Sequence, residues 1–219
     1  MKAVILGSTG LIGSSLLKLL ISSTEYTHIT SFVRKKSDII PSKLKEINTD
    51  FSDLSKYKTE FECDSVFITL GTTIKKAGSP EKFREVDYTF VLEAGKLAKE
   101  SNSKALLMVT SMGADPNSSV FYSRVKGEIE RDTKSLGLNS LLIFQPSLLL
   151  GNRNEFRLGE KIGEFVGNLF SFAFVGGLEK YKPISADVVA ESMFKLSLSP
   201  PSGTKILESD EIEASVKKL

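Results

Sequence analysis

Residues 2–13 of the chain read KAVILGSTGLIG, an apolar run that ends in glycine and is followed by two further glycines. The run Lys2–Leu6 predicts a short strand, because a continuous apolar stretch of this length is typical of a strand buried on both faces. Leu11–Ser22 carries leucines and isoleucines at helical spacing, which predicts a helix. The opening of the chain therefore predicts a strand, a tight glycine turn and a helix.

The glycines of this turn have the spacing G-x-x-G-x-x-G, which is typical of phosphate-binding turns. Gly7 permits the tight turn, Gly10 lets the backbone approach a pyrophosphate, and Gly13 lets the helix pack closely on the strand. The alternative is a plain strand-to-helix turn, which the position of the motif at the first junction of an alternating chain disfavours. The predicted cofactor contacts in this turn are Gly7, Ser8, Thr9, Gly10, Leu11, Ile12 and Gly13.

Strand and helix signals alternate along most of the chain. Further strands are predicted at Ile29–Val33, Glu46–Asp50, Ser65–Leu70, Lys104–Thr110, Leu138–Phe144 and Thr204–Leu207. Helices are predicted over 80–101, from a cap at Ser118 or Ser119 to Leu136, over Val188–Leu198 after Ser185 or Asp187, and in the polar tail 208–219, to which no function is assigned. The alternation predicts an α/β fold, a doubly wound parallel sheet with helices on both faces. We expect a single domain over residues 1–219, in which residues 151–183 interrupt the alternation at the C-terminal edge of the sheet.

The composition of the 219-residue chain disfavours several classes of function. Lysine and arginine number 29 and aspartate and glutamate 27, and the net charge of +2 predicts no nucleic-acid partner. Cys63 and His28 are the only residues of their types, which excludes an intrachain disulfide and disfavours a zinc site or a Ser-His-Asp hydrolase. Gly7 ends the opening apolar run too early for a secretory segment, and no stretch suits a membrane span. We therefore expect a cytoplasmic protein with no membrane partner.

The end of the second predicted strand is basic at the position where a site selective for NAD carries an acid. Asp or Glu about 20 residues after the glycines binds the ribose 2′-hydroxyl of NAD, but this chain has Arg34-Lys35-Lys36 there. Arg34 can instead pair with a 2′-phosphate, and Lys35 or Lys36 can add positive charge. The pattern favours NADP(H) as the cofactor, and the alternative is a solvated basic loop.

Two further segments are expected to line the cofactor crevice. Asp50 and Phe51 follow the third predicted strand, where folds of this kind often hold the adenine. The other segment closes the fourth predicted strand and should border the crevice, because ligands bind outside the carboxyl ends of parallel strands. It consists of Leu70, Gly71, Thr72 and Thr73.

Ser111, Tyr122 and Lys126 form a candidate catalytic group. Their spacing places Tyr122 and Lys126 one turn apart on one helix face, and Ser111 ends the fifth predicted strand shortly before that helix. A neighbouring ammonium favours the phenolate, so Tyr122 can give or take a proton while hydride moves at the cofactor. Ser111 can hydrogen-bond the substrate oxygen. Y-x-x-x-K alone is common on amphipathic helices, but its combination with the glycine turn and Ser111 favours catalysis.

These motifs resemble those of the atypical short-chain dehydrogenases/reductases over nearly the whole chain. The resemblance is carried by GSTGLIG at 7–13, VRK at 33–35, LGTT at 70–73, VDY at 86–88, TSMGAD at 110–115, YSRVKGEIE at 122–130 and QPSLLLGNR at 145–153. The stretch from LGTT through KAGSPEKFREVD, with GAD, VKGE and PSLLL after it, is more similar still to the human Tat-interacting protein subgroup of NADPH-binding proteins and their bacterial relatives.

The resemblance implies a doubly wound sheet of the Rossmann type that binds NADP(H), with Ser111, Tyr122 and Lys126 as the catalytic triad. It also implies that residues 151–183 form a small substrate-side lobe. The nicotinamide pocket it implies is lined by Pro146, Ser147 and Leu148.

The chain departs from the family pattern in two ways. The family often has asparagine on the fourth helix where this chain has Asp87. Asp87 can support the junction of helix and sheet, but we expect no proton relay through it. The lobe is also much shorter than in sugar-nucleotide epimerases, which disfavours a large nucleotide-sugar substrate. Its phenylalanines can form the core of the lobe, line an apolar pocket or cover an interface; they include Phe165, Phe170, Phe172 and Phe174.

Two functions fit these predictions. The first is an NADP(H)-dependent oxidoreductase that transfers hydride to or from a small carbonyl or alcohol. The second is an NADPH-sensing regulatory protein with little or no turnover, in which cofactor binding changes the lobe and its affinity for a protein partner. The complete triad favours the enzyme, because a sensor does not need Tyr122. The identity of the small-molecule substrate and the oligomeric state, monomer or homodimer, stay open.

Overall fold

The computed structural model describes residues 1–150 and 181–217 of the chain. The strands are β1 Lys2–Leu6, β2 His28–Val33, β3 Leu44–Asn48, β4 Ser65–Ile68, β5 Ala105–Val109, β6 Ser140–Gln145, β7 Leu149–Leu150, β8 Ile184–Ser185 and β9 Gly203–Glu208. The α-helices are α1 Leu11–Ser22, α2 Ile74–Ala77, α3 Pro80–Arg84, α4 Phe90–Glu100, α5 Phe121–Ser135, α6 Ala186–Leu198 and α7 Ser209–Lys217. A 3-10 helix spans Leu54–Phe61, and a π-helical turn spans Glu85–Thr89 between α3 and α4.

Seven parallel strands form one sheet in the order β3-β2-β1-β4-β5-β6-β9. The chain moves outward from β1 to one edge of the sheet and then returns beside β1 with β4 to build the other half. In a doubly wound sheet this reversal opens a crevice outside the carboxyl ends of the two central strands. The predicted fold class is confirmed, and the glycine turn that follows β1 borders this crevice.

Apolar layers cover both faces of the sheet. Ile5 belongs to the layer that contains Leu16 of α1 and Met193 of α6, whereas Val4 belongs to the layer that contains Val91 of α4. Successive residues of β1 therefore enter opposite layers, as the two-residue period of a strand requires. Because both layers are apolar, β1 is a continuous apolar run instead of an alternating one.

The start of α5 differs from the prediction of a serine cap. The helix begins at Phe121, and Val120 precedes it without a side-chain cap. The Ser118 hydroxyl instead accepts a hydrogen bond from the backbone N–H of Val120 at 3.1 Å. The Arg124 guanidinium donates to the carbonyl of Ser118 at 2.9 Å. The serines therefore stabilise the turn before α5, and Arg124 ties that turn to the first helical residues.

The helix predicted over 80–101 is also interrupted. The π-helical turn Glu85–Thr89 separates α3 from α4. Such turns insert a residue into a helix, are rare, and are frequent at functional sites. Apolar periodicity does not reveal this insertion, because Phe83 and Val91 on either side of it are both buried.

The C-terminal elements close the last edge of the sheet. β9 pairs with β6, which confirms the predicted edge strand. Ser185 caps α6 by accepting from the N–H of Asp187, which confirms one of the two predicted caps. The lobe is predicted over residues 151–183, of which only 181–183 are described. Its phenylalanines lie within 151–180, outside the described residues. The single-domain organisation with an inserted lobe therefore stays a prediction.

Candidate active site

The glycine turn between β1 and α1 leaves no room for side chains at two positions. Gly7 has φ +92°, and a Cβ there would lie 2.7 Å from the backbone nitrogen of Leu70. A Cβ on Gly13 would lie 2.1 Å from the carbonyl oxygen of Gly7 and 2.5 Å from the hydroxyl oxygen of Thr69. Gly7 thus permits the turn and Gly13 permits the close contact of α1 with it, as the spacing predicts.

The same turn leaves the start of α1 suited to an anion. Gly10 is the N-cap of the helix and provides no side-chain cap, and the first turn carries no acidic residue. A Cβ on Gly10 would lie 3.1 Å from the Gly7 carbonyl oxygen, so this position is also tight. The amide groups and the positive end of the helix dipole at such a terminus attract phosphate. This backbone cradle fits the pyrophosphate of a dinucleotide.

The two polar side chains of the turn differ in exposure. Ser8 is buried and accepts a hydrogen bond from the Ser31 hydroxyl at 2.7 Å, which connects the turn to β2. Thr9 is exposed. The Ser8 side chain therefore holds the turn in place, and its backbone remains to contact a ligand.

The basic residues after β2 are exposed at the carboxyl edge of the sheet. Arg34 and Lys35 have exposed side chains. The nearby carboxylate of Glu46 on β3 is occupied by the same loop, since the Ser37 backbone N–H donates to it at 2.6 Å and the Ser37 hydroxyl at 2.8 Å. Glu46 therefore fixes the loop that follows β2.

The two residues predicted to hold the adenine have different surroundings. Phe51 has φ +70° and is buried, with its ring stacked 5.7 Å from that of Phe90. Asp50 is exposed, and hydrogen bonds from the Ser52 backbone and hydroxyl lower the pKa of its carboxyl. The Phe51 ring thus stabilises the core, and Asp50 is the exposed member of the pair.

The segment Leu70–Thr73 after β4 is half-buried and joined to the helix behind it. The backbone N–H of Thr72 donates to Oδ2 of Asp87 at 2.9 Å. A Cβ on Gly71 would lie 3.6 Å from Oδ1 of Asp87, at ordinary contact distance. Thr73 caps α2 by accepting from the N–H of Lys76. Asp87 therefore fixes the backbone that borders the crevice.

The structure brings Tyr122 and Lys126 together in the first turns of α5. The Lys126 Nζ lies 5.9 Å from the centre of the Tyr122 ring. Tyr122 is half-buried, whereas Lys126 is only 4% exposed. Lys126 forms an ion pair with Oδ1 of Asp87 at 2.7 Å. Ser111 lies after β5, and its hydroxyl oxygen is buried without a hydrogen-bond partner among the described residues.

The charge of Lys126 is maintained by its neighbours. Burial opposes the charged form, but the negative charge of Asp87, with contributions from Tyr122 and Glu130, holds the pKa of Lys126 above its usual value. The site therefore contains a buried ammonium near a tyrosine ring. The hydroxyls of Tyr122 and Ser111 are groups that can each donate a hydrogen bond to a substrate oxygen.

One buried acid near this group was not predicted to belong to the site. Glu130 accepts from the hydroxyl of Thr110 at 2.6 Å and from the amide of Gln145 at 2.8 Å. It lies one turn after Lys126 and connects α5 to the carboxyl ends of β5 and β6. Its four-residue spacing from Lys126 was the available signal.

The segment that the resemblance places at the nicotinamide is tied to the C-terminal elements. The Pro146 carbonyl accepts from the N–H of Met112 at 3.1 Å, and the Leu148 carbonyl accepts from that of Ile184 at 2.9 Å. The Ser147 N–H donates to the hydroxyl of Ser209 in α7 at 2.8 Å. The tail, which the sequence leaves without a role, therefore supports this segment.

The described residues contain no cluster of His, Cys, Asp and Glu that could hold a metal ion. In the same part of the chain, no helix combines the length and the apolar character that crossing a membrane requires.

The chain is similar to known nucleotide-binding proteins in sequence and in fold. A family model described as NAD(P)H-binding matches residues 7–175. The mitochondrial protein FMP52 of Candida albicans is 38% identical over 197 residues, which cover 87% of this chain and 85% of that protein. HTATIP2 of Rattus norvegicus is 36% identical over 170 residues, which cover 75% of this chain and 70% of that protein. The oxidoreductase ylbE of Lactococcus lactis has the same fold, with a TM-score of 0.68 at 17% identity over 100% of this chain and 96% of that one.

The names of the relatives overturn one prediction. FMP52 proteins of Candida albicans, Eremothecium gossypii and Emericella nidulans are named mitochondrial, so the predicted cytoplasmic localisation is wrong. That prediction depended on the absence of an apolar secretory segment. Mitochondrial targeting segments are amphipathic and basic instead, so an apolar run is not the signal that would reveal one.

The matches cover most of the chain, and the parallel sheet agrees with the solved structure. The chain therefore belongs to the NAD(P)H-binding family of atypical short-chain dehydrogenases/reductases.

Proposed function

We propose that this protein is an NADP(H)-dependent oxidoreductase that interconverts a small carbonyl compound and its alcohol. The observation that carries the proposal is the buried ammonium of Lys126, ion-paired and placed beside Tyr122. By analogy with the names of its FMP52 relatives, we place the protein in mitochondria.

The preference for NADP(H) is supported by the exposed Arg34 and Lys35 after β2. Arg34 offers a planar fork of donors suited to a phosphate, and Lys35 adds a point charge. The carboxylate of Glu46 is engaged by Ser37, which supports a loop that binds a 2′-phosphate instead of a 2′-hydroxyl. The glycine cradle at α1 would hold the pyrophosphate.

The bound nicotinamide would supply or accept the hydride. In reduction, the Tyr122 hydroxyl donates its proton to the substrate oxygen, and the Ser111 hydroxyl donates a hydrogen bond to the same oxygen. Lys126 remains protonated and stabilises the negative charge that develops on the Tyr122 oxygen. The ion pair of its Nζ with Asp87 engages one side of an ammonium that carries three donors, which leaves donors for the ribose hydroxyls. Oxidation of the alcohol reverses these steps.

A screen of small aldehydes and ketones with NADPH tests the proposal, with Tyr122→Phe as the matched variant. Removing the proton donor should lower kcat by about 100-fold or more while NADPH binding is retained. Consumption of NADPH that is equally fast in Tyr122→Phe would refute the assigned role of Tyr122.

The second candidate, an NADPH-sensing regulatory protein, is favoured by the hydrogen bonds that link Ser147 and Leu148 to Ser209 and Ile184. These bonds connect the segment expected at the nicotinamide to β8 and α7, so a change in that segment on cofactor binding would reach the C-terminal elements. The candidate requires that a protein partner bind with different affinity in the presence of NADPH, because linkage is reciprocal. Equal affinity with and without NADPH would exclude it.

A further inference from the structure

The buried carboxylate of Asp87 lies between two parts of the candidate active site. Its Oδ1 is 2.7 Å from the Lys126 Nζ, and its Oδ2 accepts from the backbone N–H of Thr72 at 2.9 Å. Asp87 is 1% exposed. One side chain therefore connects the charged end of Lys126 to the backbone of the crevice-bordering segment Leu70–Thr73.

The local backbone explains how an acid reaches this position. Asp87 is the middle residue of the π-helical turn Glu85–Thr89 and the only buried residue in it. The wider turn changes the direction in which a side chain leaves the helix, and such turns often occur at functional sites. Here the turn directs a carboxylate inward while Phe83 and Val91 on either side stay in the core.

Within residues 1–150 and 181–217, three titratable groups act on the charge of Lys126, and they are not equivalent. Asp87 on the π-helical turn makes the direct ion pair, while Tyr122 and Glu130 flank the lysine on α5. Glu130 is already engaged by Thr110 and Gln145. Asp87 is therefore the principal counter-charge for a buried ammonium, whose burial would otherwise be costly.

We propose that Asp87 is a positioning residue of the reaction: it keeps Lys126 charged and fixes the Lys126 Nζ beside Tyr122 and the backbone of Thr72. This inference rests on the proposed oxidoreductase function. An asparagine at this position can accept the Thr72 hydrogen bond but cannot balance the charge of Lys126. The departure from the family pattern thus replaces a neutral amide by a counter-ion.

The first test uses the protein without cofactor and compares Asp87→Asn with Asp132→Asn. Asp132 is a matched control because its carboxylate bonds the Tyr88 hydroxyl in the same helix pair at 2.7 Å and makes no ion pair with Lys126. Stability is measured by denaturant unfolding between about pH 7 and about pH 10, a range in which carboxylates are ionised and lysines begin to titrate.

The expected result is a loss of stability in Asp87→Asn that shrinks as the pH rises. Without its counter-ion, Lys126 has its pKa lowered by burial, so the folded protein binds fewer protons than the unfolded chain and gains stability with increasing pH. The wild-type pKa of Lys126 is raised, so no such gain is expected there. A loss in Asp87→Asn that stays constant between about pH 7 and about pH 9, below the range in which the Tyr88 hydroxyl beside Asp132 titrates, would overturn the proposal.

A double variant keeps the proposal testable if Asp87→Asn does not fold. Lys126→Met leaves Asp87 unpaired, and adding Asp87→Asn removes that buried charge as well. The double variant should be more stable than Lys126→Met alone, since the two residues form a pair. A double variant that is no more stable than Lys126→Met would show that Asp87 carries no unpaired buried charge in Lys126→Met, and would overturn the proposal.

The pH profile of carbonyl reduction separates this inference from the proposed function. In Asp87→Asn, the alkaline loss of kcat should move down by about one pH unit or more, because Lys126 loses its proton earlier; the profile of Asp132→Asn should match that of the wild type. Absence of turnover in the wild type would refute the proposed function, and the unfolding measurements would still decide the pairing. Wild-type turnover with an unchanged profile in Asp87→Asn would refute the inference alone.

Discussion

Two parts of the candidate site differ in what holds them in place. The phosphate end is the glycine turn at residues 7–13, and the catalytic end is the buried group around Lys126. At the phosphate end, Gly7 and Gly13 are the first and third glycines of one motif, and the geometry depends on their lack of side chains. At the catalytic end, Lys126 depends on Asp87 and Glu130, which are separated from each other by 43 residues (130 − 87) and buried. The first end therefore tolerates no added volume, whereas the second tolerates no lost charge.

The largest loss of stability should come from adding a methyl group at the phosphate end. Gly13→Ala places a Cβ 2.1 Å from the Gly7 carbonyl oxygen, and relief requires α1 to move away from the turn. We expect a loss of about 3 kcal/mol or more in the free energy of unfolding. Denaturant unfolding measures it, with Gly71→Ala as the control, since its Cβ makes only an ordinary contact and should cost at most about 1 kcal/mol. Equal losses in the two variants would contradict the steric account.

The next effect should come from removing a charge at the catalytic end. Glu130→Gln points an amide at two hydrogen-bond donors, the Thr110 hydroxyl and the Gln145 amide. Leaving a buried donor without a partner should cost about 2 kcal/mol.

The control for this change is Glu128→Gln on the same helix. Glu128 pairs with Arg84, whose side chain is 42% exposed, so the loss there should stay below about 1 kcal/mol. If thermal or denaturant unfolding shows that Glu128→Gln is the more damaging change, the buried network is not what holds this end together.

A smaller effect is expected at the phosphate end on cofactor affinity, without a change in stability. Arg34→Ser should weaken NADPH binding by about tenfold, since one charge-assisted contact to the 2′-phosphate is lost, and should leave NADH binding and stability unchanged. Calorimetric titration of both cofactors measures the change. Lys36→Ser is the control for the general basic charge of the loop, and an equal loss of NADPH affinity in it would identify a non-specific basic loop.

Ser111 should matter for turnover and hardly at all for stability. Its hydroxyl oxygen is buried without a partner among the described residues, so Ser111→Ala should change the free energy of unfolding by less than about 0.5 kcal/mol. Turnover should nevertheless fall by about tenfold or more, because the substrate oxygen loses a donor. A large loss of stability with unchanged turnover would assign Ser111 to the fold.

The phosphate end could be predicted from the sequence because its causes are local. The apolar run of β1, the three glycines and the helical spacing of α1 are contiguous, and sterics alone dictate their arrangement. The doubly wound parallel sheet was predicted from the alternation of strands and helices along the chain. The prediction of a serine cap for α5 was wrong, because the hydroxyl of Ser118 accepts a hydrogen bond within the preceding turn.

The catalytic end was only half predictable. Tyr122 and Lys126 lie four residues apart, which reveals their common face. The ion pair of Lys126 depends on the π-helical turn around Asp87, and a π-helical insertion leaves no periodic signal in the sequence. Sequence reasoning therefore assigned Asp87 to the junction of helix and sheet, without its charge partner.

The most direct test is to titrate the wild-type protein with NADPH and, in parallel, with NADH, and to monitor binding by the fluorescence of the cofactor. We expect saturable binding of NADPH, through the glycine turn and Arg34, that is at least about tenfold tighter than that of NADH. Binding of neither cofactor would contradict the assignment of the crevice as a nucleotide site and, with it, the proposed oxidoreductase.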